Sequence, residues 1–165
     1  MVVVSDTSPI SHLILIEEVE VLSELYGEIA IPPAVEEELR HPDGPVPARR
    51  WIQEAPAWLR VGRPPPETPE GLGPESAEKL ESLDRGERQA IQLTKATGSG
   101  LLIIDERDGR RVARELGLRI TGTLGVLDEA ASEGMVDAER VADRLKETSF
   151  RASEELYKWL VDRHS

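Results

Sequence analysis

The chain has 165 residues, the usual size of one domain and enough to bury a full hydrophobic core. Its composition is that of a soluble globular protein, and aromatics at only 4% leave the core to Leu, Ile, Val and Ala. The absence of cysteine excludes a disulfide scaffold, a thiolate zinc site and a cysteine nucleophile, while the net charge of −12 argues against a general affinity for nucleic acid. Any nucleic-acid role therefore needs a local basic patch and metal ions. Met1-Val-Val-Val-Ser-Asp6 lacks the basic region of a signal peptide, and no apolar run approaches the ~18 residues that span a bilayer. A reducing cytoplasm is the expected location. Only four of the 20 basic residues are lysine (Lys79, Lys95, Lys146, Lys158), so arginine, the better fork for phosphate, dominates.

Val2–Ser5 is a short β-branched run that reads as a strand buried on both faces, ended by Asp6-Thr7. Ser8 followed by Pro9 reads as an N-cap and a proline at the first helical position. Ile10, Leu13 and Ile14, then Val21, Leu22 and Leu25, have helical spacing and predict two helices divided near Glu17 and stopped by Gly27. Glu28–Ile31 is a second strand, and Pro32-Pro33 opens a helix through Leu39. After a turn-rich loop, His41–Pro47, the pattern predicts a short helix at Ala48–Glu54 and an edge strand at Trp58–Val61.

Residues 62–74 hold five prolines and three glycines, a loop composition that need not divide the chain. Asp84-Arg-Gly-Glu87 opens a helix to Gly98, Leu101–Ile104 is the clearest buried strand, and a further helix runs from Asp105 to Leu116-Gly117. Leu118–Ile120 is a short strand, Thr121-Gly-Thr123 a turn, and Leu124–Ser132 a helix closed by Gly134. Helices at Ala138–Lys146 and Ser153–Val161 occupy the C-terminal stretch 138–165. Strands alternating with helices predict one α/β domain over 1–165, with a mostly parallel sheet covered on both faces.

In such sheets ligands bind beyond the carboxyl ends of the strands. Asp6 follows the first strand and Asp105 the strand at Leu101, while Glu38 and Glu87 lie in helices. If these four acids converge, their mutual repulsion demands cations, and hard oxygen donors suit Mg²⁺ or Mn²⁺ rather than zinc. His12, His41 and His164 have no ligand spacing. Each acid also has a purely structural explanation. Asp6 fits an Asx turn, and Glu38 the solvated face of Glu36-Glu37-Glu38. Asp84-x-x-Glu87 matches a capping box, and Asp105 an N-cap with Asp108 in the first turn. Arg107, Arg110, Arg111 and Arg114 recur at helical spacing and form one candidate RNA-binding stripe, or else a solvated face paired with Glu. Trp51, Trp58 and Trp159 could stack on bases but fit core or interface anchors better.

Four segments stand in order along nearly the whole chain: Ser5-Asp-Thr-Ser-Pro-Ile10, Ile31-Pro-Pro-Ala-Val35 with Glu38-Leu39, Leu83-Asp-x-Gly-Glu87-x-x-Ala-Ile91, and Leu102-Ile-Ile-Asp105-x-Arg-x-Gly-Arg-Arg-Val-Ala113. As a set they resemble the PIN-domain family, in particular a PIN-like branch in which Thr121-Gly-Thr-Leu-Gly-Val126 and Ser153-x-Glu-Leu-Tyr157 also recur. The resemblance implies a metal-dependent ribonuclease, commonly the toxin of a toxin–antitoxin pair, and with it an antitoxin partner. By motif position the first acid is Asp6, the second Glu38, the third Glu87 and the fourth Asp105, with Glu106 or Asp108 close enough to share the fourth role. The chain departs from the better-known toxins in having Glu87 where many place Asp, and in its long proline-rich stretch.

The chemistry expected at such a site is a water activated by one metal, with a second ion roughly 4 Å away on the leaving oxygen. A hydroxyl of Thr7 or Ser8 would orient one of the waters, though Ser8 has its N-cap explanation. The main alternative is a weak or inactive PIN-like protein that acts through partner association. A phosphoryl-transfer enzyme with Asp6 as nucleophile fits less well. A haloacid-dehalogenase phosphatase wants a second Asp where Ser8 stands, and a receiver domain a late Lys where Thr121 stands. A site-free helical partner leaves the acids at strand ends unexplained. The C-terminal helices, with Leu145, Phe150, Leu156, Trp159 and Leu160, supply either a homodimer surface or the last part of the core.

Overall fold

A computed structural model describes residues 1–98 and 100–165. The apolar runs form five short strands: β1 (Val3–Ser5), β2 (Ile29–Ile31), β3 (Leu59–Val61), β4 (Leu101–Ile103) and β5 (Arg119–Thr121). They pair in the order β3-β2-β1-β4-β5, and every pairing is parallel, as the alternation of strands and helices predicted. Between and after them lie α1 (Thr7–Leu15), α2 (Val21–Tyr26), α3 (Pro33–Arg40), α4 (Val46–Gln53), α5 (Pro74–Ser82), α6 (Arg85–Ala96), α7 (Arg107–Glu115), α8 (Thr123–Ser132), α9 (Ala138–Lys146) and α10 (Glu154–Asp162).

Strand side chains alternate between the two faces. Val3, Leu101 and Ile103 join Ile10, Leu13, Val35, Val126, Leu145 and Leu160 in one buried cluster. Val4, Leu102 and Ile104 join Leu80, Ile91 and Val112 in a second cluster on the opposite face. Each fully buried Leu or Ile contributes roughly 1.5–3 kcal/mol, so these two layers hold the strand ends in register and fix where the acids emerge.

The division between α1 and α2 falls at Glu17, the one described non-glycine residue with positive φ (61°), whose carboxylate accepts from Arg144 at 2.6 Å. Three expectations need correction. Ser8 does not cap α1; Asp6 occupies that position, and Ser8 sits inside the first turn. The last strand lies one residue later than predicted, at Arg119–Thr121. The proline-rich loop ends at Gly73, and Pro74 begins α5, a helix that the sequence pattern did not reveal because its two turns carry few apolar residues. Glu115 of α7 anchors this helix: it accepts from the Gly73 N–H at 2.7 Å and from the Ser76 hydroxyl. Helices α9 and α10 complete the core through Val141, Leu145, Tyr157 and Leu160, yet Leu156 and Trp159 stay 48% and 43% exposed. Among the described residues no helix is long and apolar enough to cross a membrane.

Candidate functional site

The β1–β4 pairing sets Ser5 opposite Ile103, and the Asp6 N–H donates to the Ile103 carbonyl at 2.9 Å. Asp6 and Asp105 therefore leave the sheet at the same end of neighbouring strands. Asp6 is buried, with 4% of its surface exposed, and its Oδ1 has no hydrogen-bond partner. Burial, with Glu87, Asp84 and Glu38 adding repulsion, holds its carboxyl well above the ordinary aspartate range.

Glu38 separates itself from its neighbours. Glu36 pairs with Arg40 and Glu37 with Arg85 at the surface, whereas Glu38 turns inward and accepts the Thr7 hydroxyl. Burial raises its pKa, and Asp84 adds to the effect. Gly86, in the first turn of α6, makes room for it: a Cβ there would stand 2.5 Å from Glu38 Oε1. The Thr7 hydroxyl thus gives its proton to Glu38.

Glu87 does form the capping box that its spacing suggests. Its N–H donates to Asp84 Oδ1 at 2.8 Å, and its Oε1 accepts from the Asp84 N–H at 3.2 Å. The same side chain lines the cleft above Asp6, where burial, then Asp84, pushes its pKa up to about 7.

Asp105 is not the cap of α7, contrary to the structural alternative. Glu106 has that place, accepting from the N–H groups of Asp108 at 3.0 Å and Gly109 at 2.5 Å. The Asp105 carboxylate instead reaches across β5 to the start of α8, where it accepts from the Thr123 N–H at 2.8 Å and hydroxyl at 2.6 Å. Gly122 permits this close approach, since a Cβ would stand 2.6 Å from Asp105 Oδ1. Asp108 faces Lys79 at 3.4 Å and does not line the cleft, so Glu106, not Asp108, accompanies Asp105 there.

The cleft encloses about 330 Å³ and is lined by Asp6, Glu87, Asp105 and Glu106 together with Ser8, His12, Ser149, Phe150 and Arg151. Sequence reasoning missed His12 and the Ser149–Arg151 segment. His12 lies one turn after Ser8, and its Nδ1 sits 2.9 Å from the Ser8 carbonyl, which only accepts, so Nδ1 carries the proton. Its ring packs edge-on against Phe150, and Nε2 lies 3.3 Å from Ser149 Oγ. The Ser8–His12 spacing of one helical turn was the available signal; nothing local marked residues 149–151.

These donors fit a hard divalent cation in kind. All are oxygens, and the unpartnered buried oxygen of Asp6 is a group that a protein leaves bare only at a cost that a cation or proton relieves. Among the described residues, however, no three Asp, Glu or His side chains stand close enough to grip one ion. The reason is visible in the bonding. Thr7 holds Glu38, the capping box holds Glu87, Thr123 holds Asp105 and the α7 backbone holds Glu106. Among the described residues Asp6 is the one acid of the cleft whose spare oxygen is fully buried without a hydrogen-bond partner.

The predicted arginine stripe is divided. Arg110 donates to the Ile104 carbonyl at 2.8 Å beside Asp105, and Arg111 pairs with Glu75 on α5 at 3.0 Å, while Arg107 and Arg114 are exposed. Trp51 and Trp58 pack on each other at the edge of the core, 5.7 Å between ring centres, as core anchors do.

The fold and cleft define a class: a parallel α/β domain whose carboxylates gather beyond the strand ends. A family model described as a PIN domain (DUF3368) matches residues 2–165. The chain belongs to the PIN-domain family, whose fold is of the nuclease type. No curated protein and no solved structure matches it.

Proposed function

We propose that this PIN-domain chain is an Mg²⁺- or Mn²⁺-dependent endoribonuclease that hydrolyses RNA phosphodiester bonds, and that it is the toxin of a toxin–antitoxin pair. The observation that carries the nuclease reading is Asp6, a buried carboxylate with one unpartnered oxygen at the head of an acid cleft. The toxin role, with an antitoxin protein as partner, rests on the family likeness alone.

Asp6, Glu87 and Asp105 would hold the ion, with Glu106 at the rim. When bound, such an ion offsets phosphate charge and acidifies water. The chain's own groups supply the rest. Glu38, fixed by Thr7, keeps negative potential on Asp6 and so favours a cation there. His12, tied to the Ser8 carbonyl through Nδ1, sets Nε2 beside the Ser149 hydroxyl at the cleft wall and so holds that hydroxyl in place. Phe150 narrows the cleft, and Arg151 supplies the positive charge that a polyanion needs beside these acids. The test is cleavage of a structured RNA by the purified chain across a Mn²⁺ and Mg²⁺ titration. Cleavage that appears with metal and vanishes in Asp6→Asn supports the reading. Cleavage independent of metal, or unchanged in Asp6→Asn, sinks it.

One observation favours a second reading, a weak or inactive PIN-like protein acting through association. Four of the five acids around the cleft are already hydrogen-bonded within the protein, and none of them forms a three-ligand set among the described residues. Absence of any metal-induced change in stability would favour it.

A further inference from the structure

Beside the acid cleft lies a second hollow of about 450 Å³, within the range of small-molecule sites. The two share Asp105, Phe150 and Arg151, so one surface runs from the carboxylates into the hollow. Its far wall is α10, where Leu156 and Trp159, one turn apart, remain the most exposed large apolar side chains of the C-terminal region. The opposite wall is the β5–α8 turn, through Thr121, Gly122 and Gly125.

Trp159 is exposed yet held. The Arg163 guanidinium sits 5.1 Å from its ring centre, and Arg163 is fixed in turn by Asp128, at 2.8 Å and 3.3 Å. A pre-set indole exchanges little conformational freedom on meeting a flat ligand. At the junction of hollow and cleft stands Arg151, exposed and in no ion pair among the described residues. An aromatic platform, an apolar wall and a free guanidinium leading to an acid centre match a nucleotide, with base, sugar and phosphate in that order.

We propose that the hollow between α10 and the β5–α8 turn is a nucleotide subsite for single-stranded RNA: Trp159 stacks on a base next to the cleavage point, and Arg151 holds the phosphate between them. The assignment rests on the nuclease reading for its orientation, not for its chemistry. Charge favours this occupant over a protein helix. A purely apolar partner has no use for Arg151 or for Arg110, which also lines the hollow.

The experiment measures anisotropy of a 5′-labelled hexa-adenylate and of an abasic ribose-phosphate hexamer, with Ca²⁺ as the divalent ion. The wild-type chain should bind the base-bearing oligomer roughly 10-fold or more tighter, the size of one base–aromatic stack. Trp159→Ala should erase that preference. Arg151→Gln should weaken both oligomers alike and lower the salt slope by about one. Leu156→Glu, at a more exposed site, should repeat the Trp159→Ala loss and stands in if that variant melts early. Equal wild-type affinity for the two oligomers overturns the subsite. So does a fall in oligomer mass in Trp159→Ala with RNA binding intact, which would make the hollow a contact between copies. Base-dependent binding without any metal-dependent cleavage would keep the subsite and defeat the nuclease reading; cleavage with kcat/KM unchanged in Trp159→Ala would do the reverse.

Discussion

Gly86 lies directly against Glu38: a Cβ on Gly86 would stand 2.5 Å from Glu38 Oε1 and 3.0 Å from its carboxyl carbon. The only position in the first turn of α6 without a side chain is thus the one that faces the inward-turned acid of α3. That contact separates stability from activity. Gly86→Ala gains about 0.5–1 kcal/mol of helix propensity, and the group it displaces is the end of a flexible side chain. We expect a melting temperature within a few degrees of wild type, but metal-dependent cleavage lower by about 10-fold, the cost of mispositioning a group near the chemistry. A variant that cleaves normally would show that Glu38 needs no fixed place.

Asp6→Asn should stabilise the metal-free protein while ending its response to metal. The native carboxylate is buried with one bare oxygen and with Glu87, Asp84 and Glu38 repelling it, so removing its charge relieves the fold. Thermal melts at pH 7.5 in EDTA should rise by at least ~2 °C, the shift that about 1 kcal/mol gives in a domain of this size. Added Mn²⁺ should raise the melting temperature of wild type only. A variant less stable than wild type in EDTA would count against an unrelieved charge.

The pH dependence of stability has a definite direction. Glu87 rises from 4.5 to about 7 in the folded state, and Asp6 and Glu38 move the same way. Between about pH 4.5 and 7 the folded chain therefore binds more protons than the unfolded one, and stability falls as pH rises through that window. Urea midpoints followed by circular dichroism in EDTA should decline across it. Glu87→Gln should flatten the decline without removing it, and saturating Mg²⁺ should restore stability at the alkaline end. A midpoint that climbs from pH 5 to 7 would contradict the burial of these acids.

Thr123→Val should cost about 1.5–3 kcal/mol, the worth of a hydrogen bond to a charged group. Thr123 is fully buried and gives Asp105 two donors, its N–H and its hydroxyl. Thr123→Ser keeps the hydroxyl and should lose less than half as much in urea unfolding. Equal losses in both would assign the effect to packing of the methyl group.

Much of this molecule was legible in residues taken locally. The valine and leucine runs predicted the strands, their alternation with helices the parallel sheet, and Asp84-x-x-Glu87 the capping box that the structure contains. Asp6 and Asp105 at strand ends were legible for the same reason, since strand ends are set by where apolar runs stop. The N-cap explanations of Ser8 and Asp105 failed, with Asp6 and Glu106 in those places, because a capping rule describes a helix in isolation, whereas Asp108 does stand in the first turn of α7.

The sequence by itself determined the five strands and the helices other than α5, to within a residue or two at their ends, and the end of the sheet at which acids emerge, because these follow from near-neighbour periodicity and backbone propensity. Only the tertiary structure decided what each carboxylate does there. Thr7 meets Glu38 across 31 residues, Thr123 meets Asp105 across 18, and Phe150 and Arg151 arrive from the far C-terminal connection to close the cleft. Hydrogen bonds between distant residues depend on how helices pack over the two sheet faces, and no local pattern encodes that packing. Asp6, buried by the same packing, keeps an oxygen that no side chain or backbone group meets.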